Sequence, residues 1–185
     1  GGGNSGGRVV NPTECQVVEL LVWALHRSGV CGREIGVITP FRAQLRLLEA
    51  TLRRRFPLVE VNTIDKYQGR DKHIVIVSFV RSNAAGLVGE LLRDWRRLNV
   101  ALSRAKAKLL LVGSAGTLRN AAVLGAMVAA LEKRRWVYRL PLGATAMYGR
   151  EWQLSQTPLS SQQPSQQQQQ QQHEREQQMV QLPGA

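Results

Sequence analysis

The sequence predicts an α/β fold in which a parallel sheet is covered by helices, and three observations carry that prediction. Runs such as Ile35-Gly36-Val37-Ile38 and "HIVIVSF" (His73–Phe79) are apolar at successive positions, as strands buried on both faces require. Segments with apolar residues at helical spacing alternate with these runs, the pattern of a doubly wound sheet. Finally, clusters of Arg, Asp, Gln and Gly follow the strands, and ligands of such sheets sit beyond the carboxyl ends of the strands.

Each element has its own justification. Asn11-Pro12-Thr13-Glu14 reads as a helix start, with Asn as N-cap, Pro at the first position and Glu at the third. Val17, Leu20, Leu21, Ala24 and Leu25 continue it to Ser28-Gly29. A short buried strand follows at 35–38. Phe41, Leu45, Leu48 and Leu52 then mark one face of a second helix, leaving Arg46 and Arg53-Arg54-Arg55 toward solvent. Strands are expected at Leu58–Thr63 and His73–Val80, a helix beginning near Asp94, a strand at Lys108–Val112 and a helix from Leu118 to Arg135.

Composition narrows the partners. The chain has 185 residues, enough for about one domain, and 43% of them are apolar, as a buried core needs. Lys and Arg total 25 against 13 Asp and Glu, a formal charge of +12. Such an excess favours a polyanion, because each phosphate neutralised releases condensed counterions. Two cysteines, Cys15 and Cys31, are too few for a disulfide framework and read as small buried hydrophobes. The three histidines show no metal-ligand spacing, so no metal site of the chain's own is expected. No apolar run approaches the roughly 18 residues of a membrane span, and no membrane partner is expected.

Three zones are expected along the chain. Residues 1–7 ("GGGNSGG") form a Gly-rich linker and residues 8–150 the folded domain. Residues 151–185, with an unbroken Gln166–Gln172 run, form a Gln-rich disordered tail. The opening Gly, rather than Met, fits a piece of a longer protein.

Three polar clusters remain to be explained. "TPFRAQ" (Thr39–Gln44) opens a helix, whose free N–H groups and positive dipole end suit a phosphate near Arg42 and Gln44. "TIDKYQGRDK" (Thr63–Lys72) holds more chemistry than a turn needs. Gly69 allows a positive φ or close backbone approach, Asp65 can hold local structure, and Lys66, Arg70 and Lys72 can meet phosphates. "RRLNVALSRAK" (Arg96–Lys106) read as one helix stacks Arg97 and Arg104 on a common face, where they repel unless an anion sits beside them.

Together the clusters resemble, in order and spacing, the fourth, fifth and sixth motifs of superfamily 1 helicases, in their second RecA-like domain. "VITPFRAQ", "VNTIDKYQGRDKHIVIVSFVRS" and "RRLNVALSRAK" are similar to the versions in the branch that holds the RNA-surveillance helicases and the eukaryotic replication helicase/nucleases. "DKYQGRDK" followed by "VGELLRDWRRLNVALSRAK" is especially similar to the latter. The resemblance covers about residues 9–113 and continues more weakly to 142.

It implies a RecA-like P-loop NTPase fold, the second lobe of a helicase, and a set of roles. Gly69 and Asp71 match positions facing the ATP γ-phosphate and its attacking water; Asp71 stands where many relatives carry Glu. Arg104 matches the arginine that reaches across the interdomain cleft to the γ-phosphate. Arg42 and Gln44 fall in the fourth motif, on the ATP side. Thr63 and Gln68 match residues lying toward the nucleic-acid backbone and the cleft, with Lys66 and Arg70 as cationic neighbours. The implied cofactor is ATP with Mg²⁺, shared with a first RecA-like domain, and the implied track is single-stranded DNA, with RNA as the alternative. The implied location is the nucleus. The chain contains no G-x-x-x-x-G-K-[ST] loop, so by this reading it is half of a motor. A non-catalytic nucleic-acid-binding remnant is the competing reading; Arg104 and Gly69 favour the motor.

Overall fold

The computed structural model describes residues 9–147 and 149. The linker and tail expected at 1–7 and 151–185 lie outside the described residues.

Helix α1 spans Pro12–Arg27, with Asn11 as its N-cap: the Asn11 side chain accepts a hydrogen bond from the Glu14 backbone N–H at 3.0 Å. The chain turns at Gly29, whose φ of +87° is open to glycine. Strand β1 (Ile35–Thr39) is buried throughout and leads to α2 (Arg42–Leu52), which packs Leu48 and Leu52 inward and leaves Arg46 exposed. Strand β2 is Glu60–Thr63, two residues shorter at its start than expected, and β3 is Lys72–Ser78. Helix α3 (Trp95–Leu102) is capped by the Asp94 carboxylate, and β4 (Ala105–Val112) starts three residues before the expected strand.

The helix expected from Leu118 to Arg135 is two: α4 (Ala115–Leu118) and α5 (Ala122–Lys133). The reason is local. The Asn120 side chain donates to the carbonyls of Gly116 and Thr117, competing with the helical ladder where it would have continued. Cys31 also departs from expectation, since it is exposed; Cys15 is buried, its thiol 3.3 Å from the Thr51 hydroxyl.

All four strands are parallel, in the order β2-β1-β3-β4. Glu14, Gln44 and Ser78 meet on one face of the sheet, where α1 and α2 pack. On the other face Ile38, Val75, Val77 and Phe79 form the core with Ile64, Tyr67, Leu98, Leu118 and Leu124.

The connection from β2 to β3 is the unusual one. Parallel strands are normally joined by about a dozen residues or more, usually a helix. Here the eight residues from Ile64 to Asp71 cross over β1 with a single 3-10 turn, Asp65–Tyr67. So short a link must run close to the strand beneath, and Gly36 of β1 makes that approach possible. A Cβ there would lie 1.9 Å from the Tyr67 hydroxyl oxygen. Tyr67 is completely buried, and its hydroxyl has no hydrogen-bond partner among the described residues. Burial pushes that phenol well above its ordinary range.

Candidate nucleotide and nucleic-acid site

The strands define two edges, and the polar clusters divide between them. Thr39, Thr63, Ser78 and Val112 end the strands at the carboxyl edge; Ile35, Glu60, Lys72 and Ala105 begin them at the amino edge. The expectation that all three clusters lie beyond carboxyl ends needs correction. Only the first does so entirely. The second starts at Thr63 on the carboxyl edge and is carried by the short crossover to Asp71 on the amino edge. The third starts with Arg96 near the carboxyl edge and runs down α3 to Arg104, immediately before β4.

At the amino edge the second and third clusters meet. Arg104 Nη1 donates to Asp71 Oδ1 at 3.1 Å, across a sequence separation of 33 residues. Arg104 is not on the α3 face with Arg97: the helix ends at Leu102 with Ser103 as C-cap. The Arg104 Nε instead reaches back to the Val100 carbonyl at 3.0 Å, satisfying a C-terminal helix acceptor, and Nη2 donates to Ser103 Oγ. The two arginines expected to repel are thus parted, and each has its own carboxylate. Arg97 Nε lies 3.4 Å from Asp65 and 3.7 Å from Asp94.

Gly69, just before this pair, has φ +75°, a conformation that L side chains rarely adopt. Arg70 pairs with Glu60 at 2.5 Å, and Lys72 reaches both Glu60 at 3.1 Å and the Arg33 carbonyl at 2.9 Å. Partial burial pushes the Glu60 carboxyl up, but hydrogen bonds from Arg70 and Lys72 outweigh it and hold the group below its ordinary range.

At the carboxyl edge the picture differs. Arg42 is exposed at the first residue of α2. Gln44 is fully buried and internally occupied: its amide accepts from Asn11 N at 2.8 Å and donates to Asn11 O at 3.1 Å and Ser78 Oγ at 3.4 Å. Gln44 therefore braces α1 against α2 and β3, and neither it nor Arg42 is brought to Arg104. Thr63 is buried at the end of β2, and Lys66 is exposed on the 3-10 turn. Gln68 helps line a cavity of about 150 Å³ with Ile64, Asp65, Arg96, Arg97 and Val100. Trp95, the first residue of α3, is exposed, with the Arg96 guanidinium 6.0 Å from its ring centroid.

One network was not anticipated from sequence. Glu14 turns inward from α1, and its Oε2 accepts from Ser78 Oγ at 2.7 Å and from the Val80 N–H at 2.9 Å. Burial raises this carboxyl from its ordinary 4.5 to about 7, against the opposing pull of those hydrogen bonds. The sequence signal available, Glu at the third position of a helix, points to capping; only the fold reveals a strand end within its reach.

An all-parallel sheet with helices packed against it is the architecture of a RecA-like fold. Comparison with known proteins gives the family. A profile described as "AAA domain" matches residues 2–116. The chain is 47% identical over 130 residues to the DNA replication ATP-dependent helicase/nuclease of Schizosaccharomyces pombe, covering 70% of this chain and 9% of that protein. It is 48% identical over 136 residues to the protein of the same description from Mus musculus, and 47% over 135 residues to that from Homo sapiens; each match covers 73% of this chain and 13% of the relative. The chain belongs to this AAA-domain family of superfamily 1 helicases. It spans about a tenth of the length of these relatives.

Proposed function

We propose that this chain is the C-terminal, second RecA-like lobe of an ATP-dependent DNA helicase of the helicase/nuclease type. In this reading it works in DNA replication and repair in the nucleus, and couples ATP hydrolysis to movement along single-stranded DNA. The observation that carries the proposal is the Arg104–Asp71 pair, in which two motifs remote in sequence converge beside Gly69.

The residues of the amino edge fit a nucleotide phosphate. Arg104 is a planar, permanently charged donor held by a partly exposed carboxylate, and exposed ion pairs are worth only about 0.2–1 kcal/mol. Arg104 can therefore exchange Asp71 for a phosphate at little cost. ATP with Mg²⁺, bound on a partner lobe that carries the phosphate loop, supplies the phosphoryl group. Arg104 stabilises the charge that spreads over the transferred oxygens. Asp71, once released, is free to orient the attacking water, and Gly69 lets the backbone approach the phosphate closely. Thr63, Gln68 and Lys66 serve the strand. Arg70, tied to Glu60, tethers the crossover to β2. The domain boundaries at residues 8 and 150 belong to the same proposal.

The direct test uses the purified 185-residue chain. It should hydrolyse no ATP by itself and should bind single-stranded oligonucleotides weakly, with affinity falling steeply from low to physiological salt. Robust turnover without a phosphate-loop partner would overturn the half-motor reading. Absence of any salt-dependent binding would remove the nucleic-acid half of it.

A further inference from the structure

Outside glycine, only Val80 and Arg135 among the described residues have φ in the left-handed region. Arg135 follows the end of α5, where that conformation is routine. Val80 follows the end of β3 and is β-branched, so its φ of 71° is a true outlier. The Arg81 N–H donates to the Phe79 carbonyl at 2.8 Å around it, closing a three-residue γ-turn of the rare, strained hand. Strain of this kind persists only where the surroundings over-determine it, and such positions cluster at functional sites.

Val80 is over-determined. Glu14 Oε2 accepts from its N–H at 2.9 Å, Asn11 Nδ2 donates to its carbonyl at 3.0 Å, and the side chain is buried. What the turn delivers is Arg81. Its guanidinium lies over the Phe41 ring, 5.4 Å from the centroid, and its buried Nε has no hydrogen-bond partner among the described residues. The bare Cα of Gly89 leaves room beside it: a Cβ there would stand 3.3 Å from the guanidinium. No carboxylate among the described residues pairs with Arg81. Thr39 Oγ1, completely buried at the end of β1, is a second polar atom at this edge without a partner among the described residues.

The topology gives the location its meaning. From β1 the chain passes outward to β2 and then back across β1 to β3, so the sheet's winding reverses between β1 and β3. In open α/β sheets ligands bind at that reversal, beyond the carboxyl ends. Phe41 follows β1 and Arg81 follows β3, so their stack bridges the two strand ends.

We infer that Arg81, turned out by the Val80 γ-turn into the crevice between β1 and β3, contacts a backbone phosphate of the single strand. The inference rests on the function proposed above and adds a residue to it. A strand phosphate is favoured over a nucleotide phosphate because the Arg104–Asp71 pair lies at the opposite edge. The carboxyl edge also carries Arg42 and Arg96, without carboxylate partners among the described residues, and an exposed Trp95 suited to stacking on a base.

The test is fluorescence anisotropy of a labelled oligothymidylate of about 20 nucleotides with the 185-residue chain, titrated from about 50 to 200 mM salt. Arg81→Ala should lower affinity several-fold and reduce the slope of log affinity against log salt by about 0.7, the release from one single-strand phosphate. Arg81→Lys should keep the slope yet still bind more weakly, since an ammonium lacks the planar donor fork. Arg104→Ala should change neither quantity. Circular dichroism checks each fold, and if Arg81→Ala fails to fold, Arg81→Lys decides. Unchanged affinity in the folded variants, with normal binding by the parent chain, overturns the Arg81 assignment alone. A slope lost in Arg104→Ala instead of Arg81→Ala places the strand at the amino edge and overturns it too. A parent chain that shows no salt-dependent binding overturns the functional reading and this inference together.

Discussion

At the amino edge of the sheet Arg104, Arg70 and Lys72 each have a carboxylate, Asp71 for the first and Glu60 for the other two. At the carboxyl edge Arg42, Arg81 and Arg96 have none among the described residues, while the one nearby buried carboxylate, Glu14, is spent on holding the β3 end. The difference teaches that +12 of net charge is not spread evenly in kind. Cations already paired can exchange one anion for another at a defined point, as a phosphate sensor must. Unpaired cations make a standing positive field, as a polyanion track requires.

The sharpest way to break that contrast is at Arg104. In the longer protein carrying a phosphate-loop lobe, Arg104→Ala should reduce DNA-stimulated ATP turnover by about 10³–10⁵, the usual worth of such an arginine. Single-strand affinity without nucleotide should barely move, and Arg104→Lys should fail almost as badly. If affinity falls while turnover per bound complex survives, the two edges have been assigned the wrong way round.

Next in size is the wall between the edges. Gly36→Ala puts a methyl 1.9 Å from the Tyr67 oxygen and should cost about 3 kcal/mol or more, read as a lowered denaturation midpoint. A normal midpoint would mean that the crossover has slack.

The carboxyl edge has a pH signature opposite in sign to that of the amino edge, where Glu60 is held below its ordinary range and its contribution is lost as pH falls. Glu14 has a folded-state pKa raised from 4.5 to about 7, so the folded state holds the proton that the unfolded state gives up. Its contribution to stability is full below about pH 4.5 and is lost as pH rises through about 7, a change of about 3 kcal/mol. Melting temperature should therefore fall across that window, and Glu14→Gln should flatten the fall. An equal decline in the variant would remove Glu14 as the cause. Smallest is Tyr67→Phe, which deletes a buried hydroxyl with no partner among the described residues and should leave stability unchanged or raise it by up to about 1 kcal/mol. A clear loss, measured by chemical denaturation, would reveal a hydrogen bond that this geometry lacks.

Much of the fold was legible because it is local. Asn11-Pro12 and Asp94 announced helix starts through side-chain caps, and the unbroken apolar runs announced parallel strands. The division of the site between two edges was not legible, because it depends on how eight residues cross β1, and no spacing rule reports that path. Arg104 was read as helical since "NVALSRAK" keeps its helical pattern past the point where Ser103 caps the helix. Gln44 looked available because it falls in the first turn of a helix that follows a strand, where a phosphate could dock; its burial follows from the approach of Asn11, 33 residues away. Arg81 gave no sign at all, as valine is among the last residues expected to turn left-handed.

The crossover pinned by Tyr67 has a mechanical consequence. A link of eight residues, locked at its fourth by a ring seated on Gly36, cannot slide along its own length. Asp71 and Asp65 lie on opposite sides of that anchor along the chain. Asp71 holds Arg104 and Asp65 holds Arg97. One buried ring thus anchors a strap that carries a charged hook on either side, each fastened to a different arginine of the third cluster.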